Sequence, residues 1–286
     1  MRRRGFIAGC AHAPTPINRN VIISRKLTKP LASILLALLV FVPAYAGRSA
    51  ESGPKVAVVA FGLFGDQSVF ESEAQGAARI VADRFGGGPV IVRANTRSQS
   101  DVTVKTLATA LDSVGKELDA ENDILALILT SHGSRAGLVV KAAGGREDTL
   151  WPQILSAMLD HSGVRHRVVI ISACYSGIFI PMLANADTLV ITAADAYHAS
   201  FGCQDGAKWT YFGDAFFNTA MRRTTNLRDA FDLARALIRE REVRNGFEPS
   251  NPQIAGGQNI EHRFKGGVEP AEATALPWPT LPWPAQ

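Results

Sequence analysis

Cysteine is scarce in this chain: Cys10, Cys174 and Cys203 are the only three in 286 residues. No long polar tract interrupts it, which with 47% hydrophobic residues excludes a disordered polymer. Long apolar runs are lacking too. The longest, Leu31–Val42, has twelve residues broken only by Ser33, too few to span a bilayer comfortably. Acidic residues are absent from 1–46, which hold seven basic ones: Arg2, Arg3, Arg4, Arg19, Arg25, Lys26 and Lys29. Setting those seven aside leaves twenty-three basic residues against twenty-six acids. The formal charge of +4 therefore belongs to the leader, and no basic excess remains for nucleic acid.

What is present begins with that leader. Arg25, Lys26 and Lys29 precede the apolar run, and Pro43 and then Ala44-Tyr45-Ala46-Gly47 follow it. A basic region, a short apolar core and a small-x-small end describe an export signal cleaved after Ala46. An uncleaved anchor is the alternative. A start near Val21 would give the signal ordinary length, and Ile7-Ala8-Gly9-Cys10 resembles a lipoprotein box. The expectation is an exported, periplasmic or secreted protein: leader 1–46, a domain over 47–265, and an extended or disordered Pro-rich tail over 266–286 that repeats Leu-Pro-Trp-Pro. After cleavage no stable membrane span remains.

Within the domain, short apolar runs alternate with helical spacing. Strands are expected at Lys55–Phe61, Pro89–Arg93, Asp123–Thr130, Arg167–Ser172 and Thr188–Thr192. Helices are expected at Gln67–Phe85, Val102–Leu118 (capped by Ser100 or Asp101), Leu150–Leu159, Asp214–Arg222 and Leu227–Arg244, with a further one possible over Ser176–Leu183. Asp195–Thr210 reads as a loop, and Pro249–Gly257 as a loop leading into a last short strand. Continuous apolar strands separated by helices imply an α/β fold with a mostly parallel sheet covered on both faces. Such sheets place their ligands at the carboxyl ends of the strands.

Two reactive residues fall at that edge. His132 follows the third strand and Cys174 the fourth. An imidazole and a helix N-terminus both favour a thiolate, so Cys174 reads as a nucleophile that stays free of any bridge to Cys203. The N–H groups of Gly133 and Cys174 can form an oxyanion hole. Singly, each residue also suits a structural role. His161 and His166 have a poor metal spacing and read as surface residues, and no metal or cofactor is expected. His198 reads as a loop histidine, and the arginines from Arg222 to Arg244 as solvated helix faces.

Ser131-His132-Gly133, then Ser172-Ala173-Cys174-Tyr175-Ser176-Gly177 forty-two positions after the histidine, resembles the legumain (asparaginyl endopeptidase) family, which shares the caspase fold. The likeness continues through Ile191–Ala194, Ala199–Cys203 and Thr210-Tyr211-Phe212-Gly213-Asp214. It implies a three-layer caspase-like fold and a cysteine endopeptidase acting on peptides or proteins through an acyl-enzyme. Cys174 would be the nucleophile, His132 the base and Gly133 an oxyanion donor. Ser200 and Asp214 match positions of the pocket for the P1 side chain. Asp214 reads otherwise as a helix N-cap. Ser172 stands where legumains carry a glutamate, which weakens the expectation of asparagine specificity. Legumains orient the histidine with an asparagine after the first strand. This chain has Phe61–Asp66 there, with Asp66 the candidate substitute. A transpeptidase would use the same dyad, and an inactive peptide-binding module would need neither residue.

Overall fold

The computed structural model describes residues 53–261 and residue 263. The leader and the Pro-rich tail lie outside the described residues. Six strands form one sheet in the order β2-β1-β3-β6-β7-β8. They are β1 (Val56–Gly62), β2 (Gly87–Ala94), β3 (Ile124–Thr130), β6 (His166–Ser172), β7 (Thr188–Thr192) and β8 (Gln253–Gly256). All pairings are parallel except β7 with β8. A separate antiparallel hairpin joins β4 (Leu138–Lys141) to β5 (Glu147–Leu150).

Alternation along the strands divides the core into two. Val56, Val58 and Ala60 of β1 point to one face with Ile124, Ala126 and Ile128 of β3 and Val168 and Ile170 of β6. There they meet α1 (Val69–Phe85), the Phe216–Phe217 pair and α6 (Leu227–Arg244). Ala57, Val59 and Phe61 point the other way with Leu125, Leu127, Leu129, Val169 and Ile171, against α2 (Val104–Glu117), α3 (Pro152–His161) and α4 (Ile180–Leu183). Side chains that alternate across a strand leave no polar face on a central one. This is the expected three-layer α/β arrangement.

Local chemistry sets several boundaries away from the expected ones. Thr103 caps α2, in place of Ser100 or Asp101: its hydroxyl accepts from the Thr106 amide while the Thr106 hydroxyl accepts from the Thr103 amide. Leu150 ends β5, so α3 starts at Pro152, whose missing N–H suits the first turn. The segment after Cys174 is a 3-10 turn (Ser176–Phe179) running into the one-turn α4. The helix expected from Asp214 begins instead as the single turn α5 (Tyr211–Gly213), capped by Thr210. It widens into a π-helical turn over Asp214–Ala220, where the Met221 amide reaches back to the Phe216 carbonyl at 2.8 Å. Asp214 is thus not an N-cap. His166 is buried, not a surface residue; its Nε2 lies 3.1 Å from the Glu121 carbonyl. Among the described residues no helix is long and apolar enough to cross a membrane.

Phe216 is fully buried where the π-turn meets the sheet. Phe216→Ala should destabilise the fold by about 3–5 kcal/mol. Tyr197→Ala, at a side chain 71% exposed, should change stability by less than about 0.5 kcal/mol. Urea unfolding of both variants checks the contrast.

Candidate active site

The site is assembled by strand register. Thr130 at the end of β3 pairs with Ser172 at the end of β6, and the Ser131 amide donates to the Ser172 carbonyl at 3.2 Å. His132 and Cys174 each lie two residues beyond that pair, so both leave the sheet at the same level on neighbouring strands. Gly133 passes so close to Cys174 that a Cβ built on it would sit 2.1 Å from the Cys174 carbonyl oxygen. Any side chain there would drive the two segments apart.

The Gly133–Leu138 bridge is a wide pair. Its hydrogen bonds run from Val139 to His132 and from Ser134 to Gly137, so the ladder does not use the Gly133 N–H. Tyr175, directly after Cys174, sits in the left-handed region with φ of 55°, and its amide donates to the His198 carbonyl.

Cys174 and Cys203 are both free thiols. The Ser200 amide donates to the Cys174 sulfur at 3.3 Å, and the Ser200 carbonyl lies 3.4 Å from it. Burial pushes the Cys203 thiol up to about 12, aided by the neighbouring Cys174 and Glu73. That keeps the half-buried Cys203 thiol protonated and a poor nucleophile.

His132 packs edge-on against two aromatic rings, Phe64 (4.6 Å) and Phe70 (5.0 Å), which also meet each other edge-on. Burial holds its pKa below the usual imidazole value; Glu147 opposes this and Lys141 reinforces it. The residue that orients it is Gln67, not Asp66. Gln67 Nε2 donates to the Cys203 carbonyl at 2.8 Å, which turns its Oε1 toward His132 Nε2 at 2.5 Å. An amide oxygen can only accept, so the proton of neutral His132 resides on Nε2 and Nδ1 is left as the basic nitrogen. Asp66 instead pairs with Lys141 at 3.0 Å and accepts from the Gly144 amide. Those bonds hold its carboxyl below the usual range.

The remaining candidates are engaged within the protein. The buried Ser172 hydroxyl lies 3.1 Å from that of Thr210. Asp214 accepts from Asn218 at 2.9 Å and faces Arg241 at 3.4 Å. The Arg241 guanidinium also lies 3.6 Å from the centre of the Tyr211 ring, so this arginine is not on a solvated face. His198 donates from Nδ1 to Asp195, which Asn251 also contacts. Burial pushes the Asp195 carboxyl up, but its bonds from Tyr197, His198 and Asn251 outweigh that and keep it low. Among the described residues no group of three or more His, Cys, Asp and Glu side chains is placed to hold a metal ion.

Two residues with a part in the site escaped sequence reading. Gln67 lay unnoticed beside the acid that drew attention. Glu73 sits four residues after Val69 and three after Phe70, on the apolar stripe of α1. A carboxyl on such a stripe is a legible signal of a buried polar function.

The model of the peptidase C13 family matches residues 80–260, which include His132, Cys174, Ser200 and Asp214 and begin after Gln67 and Glu73. No curated protein sequence matches this chain. Among solved structures, caspase-1 from Spodoptera frugiperda matches with a TM-score of 0.48 at 15% identity, over 71% of this chain and 86% of that one. The chain belongs to the peptidase C13 family, a family of cysteine peptidases.

Proposed function

We propose that the chain is an exported endopeptidase that cleaves peptide bonds through a Cys174–His132 dyad and a thioester intermediate. The observation that carries the reading is the shared level of the two residues, two positions past the Thr130–Ser172 pair, with Gly133 pressed against Cys174. His132 Nδ1 takes the thiol proton as Cys174 sulfur attacks the carbonyl carbon of the substrate. The Gly133 and Cys174 amides face the developing oxyanion. The proton then passes from His132 to the leaving amine as the C–N bond breaks, and water hydrolyses the thioester with His132 as base.

A base must be neutral to accept a proton. The aromatic box around His132 favours that form, because desolvation disfavours the imidazolium. Gln67 fixes which nitrogen is available.

For substrate choice, Ser200 lies beside the nucleophile and Asp214 carries its charge against Arg241. With Ser172 in place of an acid, and bonded to Thr210, the P1 preference is for a small or polar residue, with weaker asparagine selectivity than in legumains. A site lacking one buried partner for a polar side chain discriminates less. Export rests on the leader sequence alone.

Three outcomes test this account. Cys174→Ala should abolish hydrolysis of a P1-varied fluorogenic peptide library while the far-UV spectrum and the unfolding midpoint stay near wild type; retained turnover would refute the mechanism. Phe64→Ala lets water reach His132 and raises its pKa, so the acid limb of kcat/KM should move to higher pH. A limb that stays in place would show that His132 does not set it. Ser172→Glu should shift the library profile toward P1 asparagine, and an unchanged profile would remove Ser172 from the pocket.

A further inference from the structure

Glu73 is fully buried, and the proposed mechanism does not use it. Its carboxyl reaches from α1 to two segments of the cleft, and to a third through the Thr210 side chain. Oε1 accepts from the Thr130 hydroxyl at 2.9 Å, at the end of the strand that leads to His132. Oε2 accepts from the Thr210 amide at 2.8 Å, at the turn that opens the Thr210–Asp214 segment. The Ser172 hydroxyl, two residues before Cys174, joins this set through the Thr210 hydroxyl at 3.1 Å and lies close enough to Glu73 to lower its carboxyl. The Thr210 hydroxyl in turn accepts from the Gly213 amide at 2.9 Å.

Gly213 shows how closely the acid is enclosed. A Cβ built there would sit 2.0 Å from Glu73 Oε2. The partners are a neutral hydroxyl and an amide, and among the described residues Glu73 makes no ion pair. The Cys203 thiol is a titratable neighbour that feels its charge. An unpaired buried charge would be costly, whereas a protonated carboxyl keeps the Thr210 amide as a donor and can turn its own O–H to the Thr130 hydroxyl, so the hub is satisfied while neutral.

We propose that Glu73 is a positioning residue. Through hydrogen bonds and not through charge, it sets the placement of the His132 strand end, the Cys174 strand end and the Thr210 turn relative to one another. The inference builds on the peptidase reading for its kinetic consequence but not for its structural one. Displacing a reacting group by about 1 Å can cost about 100-fold in rate, and one hub holding three segments is where such displacements originate.

The test compares wild type, Glu73→Ala and Glu73→Gln. A carboxamide keeps an oxygen for the Thr210 amide and presents an N–H to the Thr130 hydroxyl, so glutamine should substitute. Amide hydrogen exchange should accelerate in Glu73→Ala over residues 129–134, 170–176 and 208–214 while the rest of the sheet keeps its protection. Inactivation by a peptide acyloxymethyl ketone should slow about 100-fold, with iodoacetamide alkylation of Cys174 near the wild-type rate. Glu73→Gln should restore both. Wild-type exchange in Glu73→Ala, or loss in Glu73→Gln equal to that in Glu73→Ala, would overturn the proposal. If Glu73→Ala does not fold, Thr130→Val removes one bond of the hub in a near-isosteric side chain. It should speed exchange over the same three segments and slow the ketone about tenfold, and no change in either would count against the hub. If the wild type ignores the ketone, the dyad is refuted, while exchange still decides the role of Glu73.

The pH dependence of stability adds a second reading. Burial pushes the Glu73 carboxyl up, partly opposed by Ser172, Thr210 and Thr130. Its contribution to stability is therefore complete below the ordinary carboxyl range and falls as pH rises through its raised folded value. That slope should vanish in Glu73→Gln, and a slope unchanged from wild type would contradict a neutral hub.

Discussion

The register between β3 and β6 is the constraint on which the rest depends. Parallel strands buried on both faces have no freedom to slip, because a one-residue shift would exchange Leu125, Leu127 and Leu129 with Ile124, Ala126 and Ile128 between two unlike helical layers. With Thr130 locked opposite Ser172, His132 and Cys174 leave the sheet together. Their juxtaposition follows from core packing and needs no flexible loop to find it. The chemistry is set on a rigid edge.

Around that edge the polar groups form a connected set with few charges. Gln67 ties His132 to the Cys203 carbonyl, and Ser200 brackets the Cys174 sulfur with its amide and carbonyl. Glu73 ties the strand ends to Thr210. The ionic partners lie further out, in Asp66–Lys141, Asp205–Arg97 and Asp214–Arg241. Near the reacting atoms most donors and acceptors are neutral, and at His132 the opposed influences of Glu147 and Lys141 come second to burial.

The sheet was the most legible part of the sequence. Four apolar runs give the central strands β1, β3, β6 and β7 and a fifth gives the edge strand β2, and Thr188–Thr192 and Leu227–Arg244 agree with the expected limits to the residue. Such runs are decided by burial, which composition reports directly. The hairpin β4–β5 was not legible, because strands of four residues with Glu147-Asp148-Thr149 among them show no apolar period. The π-turn after Gly213 depends on how Phe216 and Phe217 meet the sheet, which no local pattern encodes. Arg241 read as solvated because its neighbours in sequence are charged; its stacking on Tyr211 is a tertiary fact. His166 stayed hidden in the same way, as a histidine opening an otherwise apolar strand. At the site, the placement of Cys174 and His132 at one edge was legible because their spacing follows two strands. Gln67 was not, since its contact arises only when α1 is laid against the sheet, and Glu73 showed only as an acid on an apolar stripe, with its partners unannounced.

The central claim is that Cys174, and not the neighbouring thiol, carries the reaction, and that His132 drives it. Intact-mass and peptide-mapping spectrometry after treatment with a peptide acyloxymethyl ketone tests this most directly. The account predicts one adduct on Cys174, none on Cys203, and a large fall in its rate of formation in His132→Ala. An adduct on Cys203, or labelling of Cys174 at an unchanged rate without His132, would contradict it.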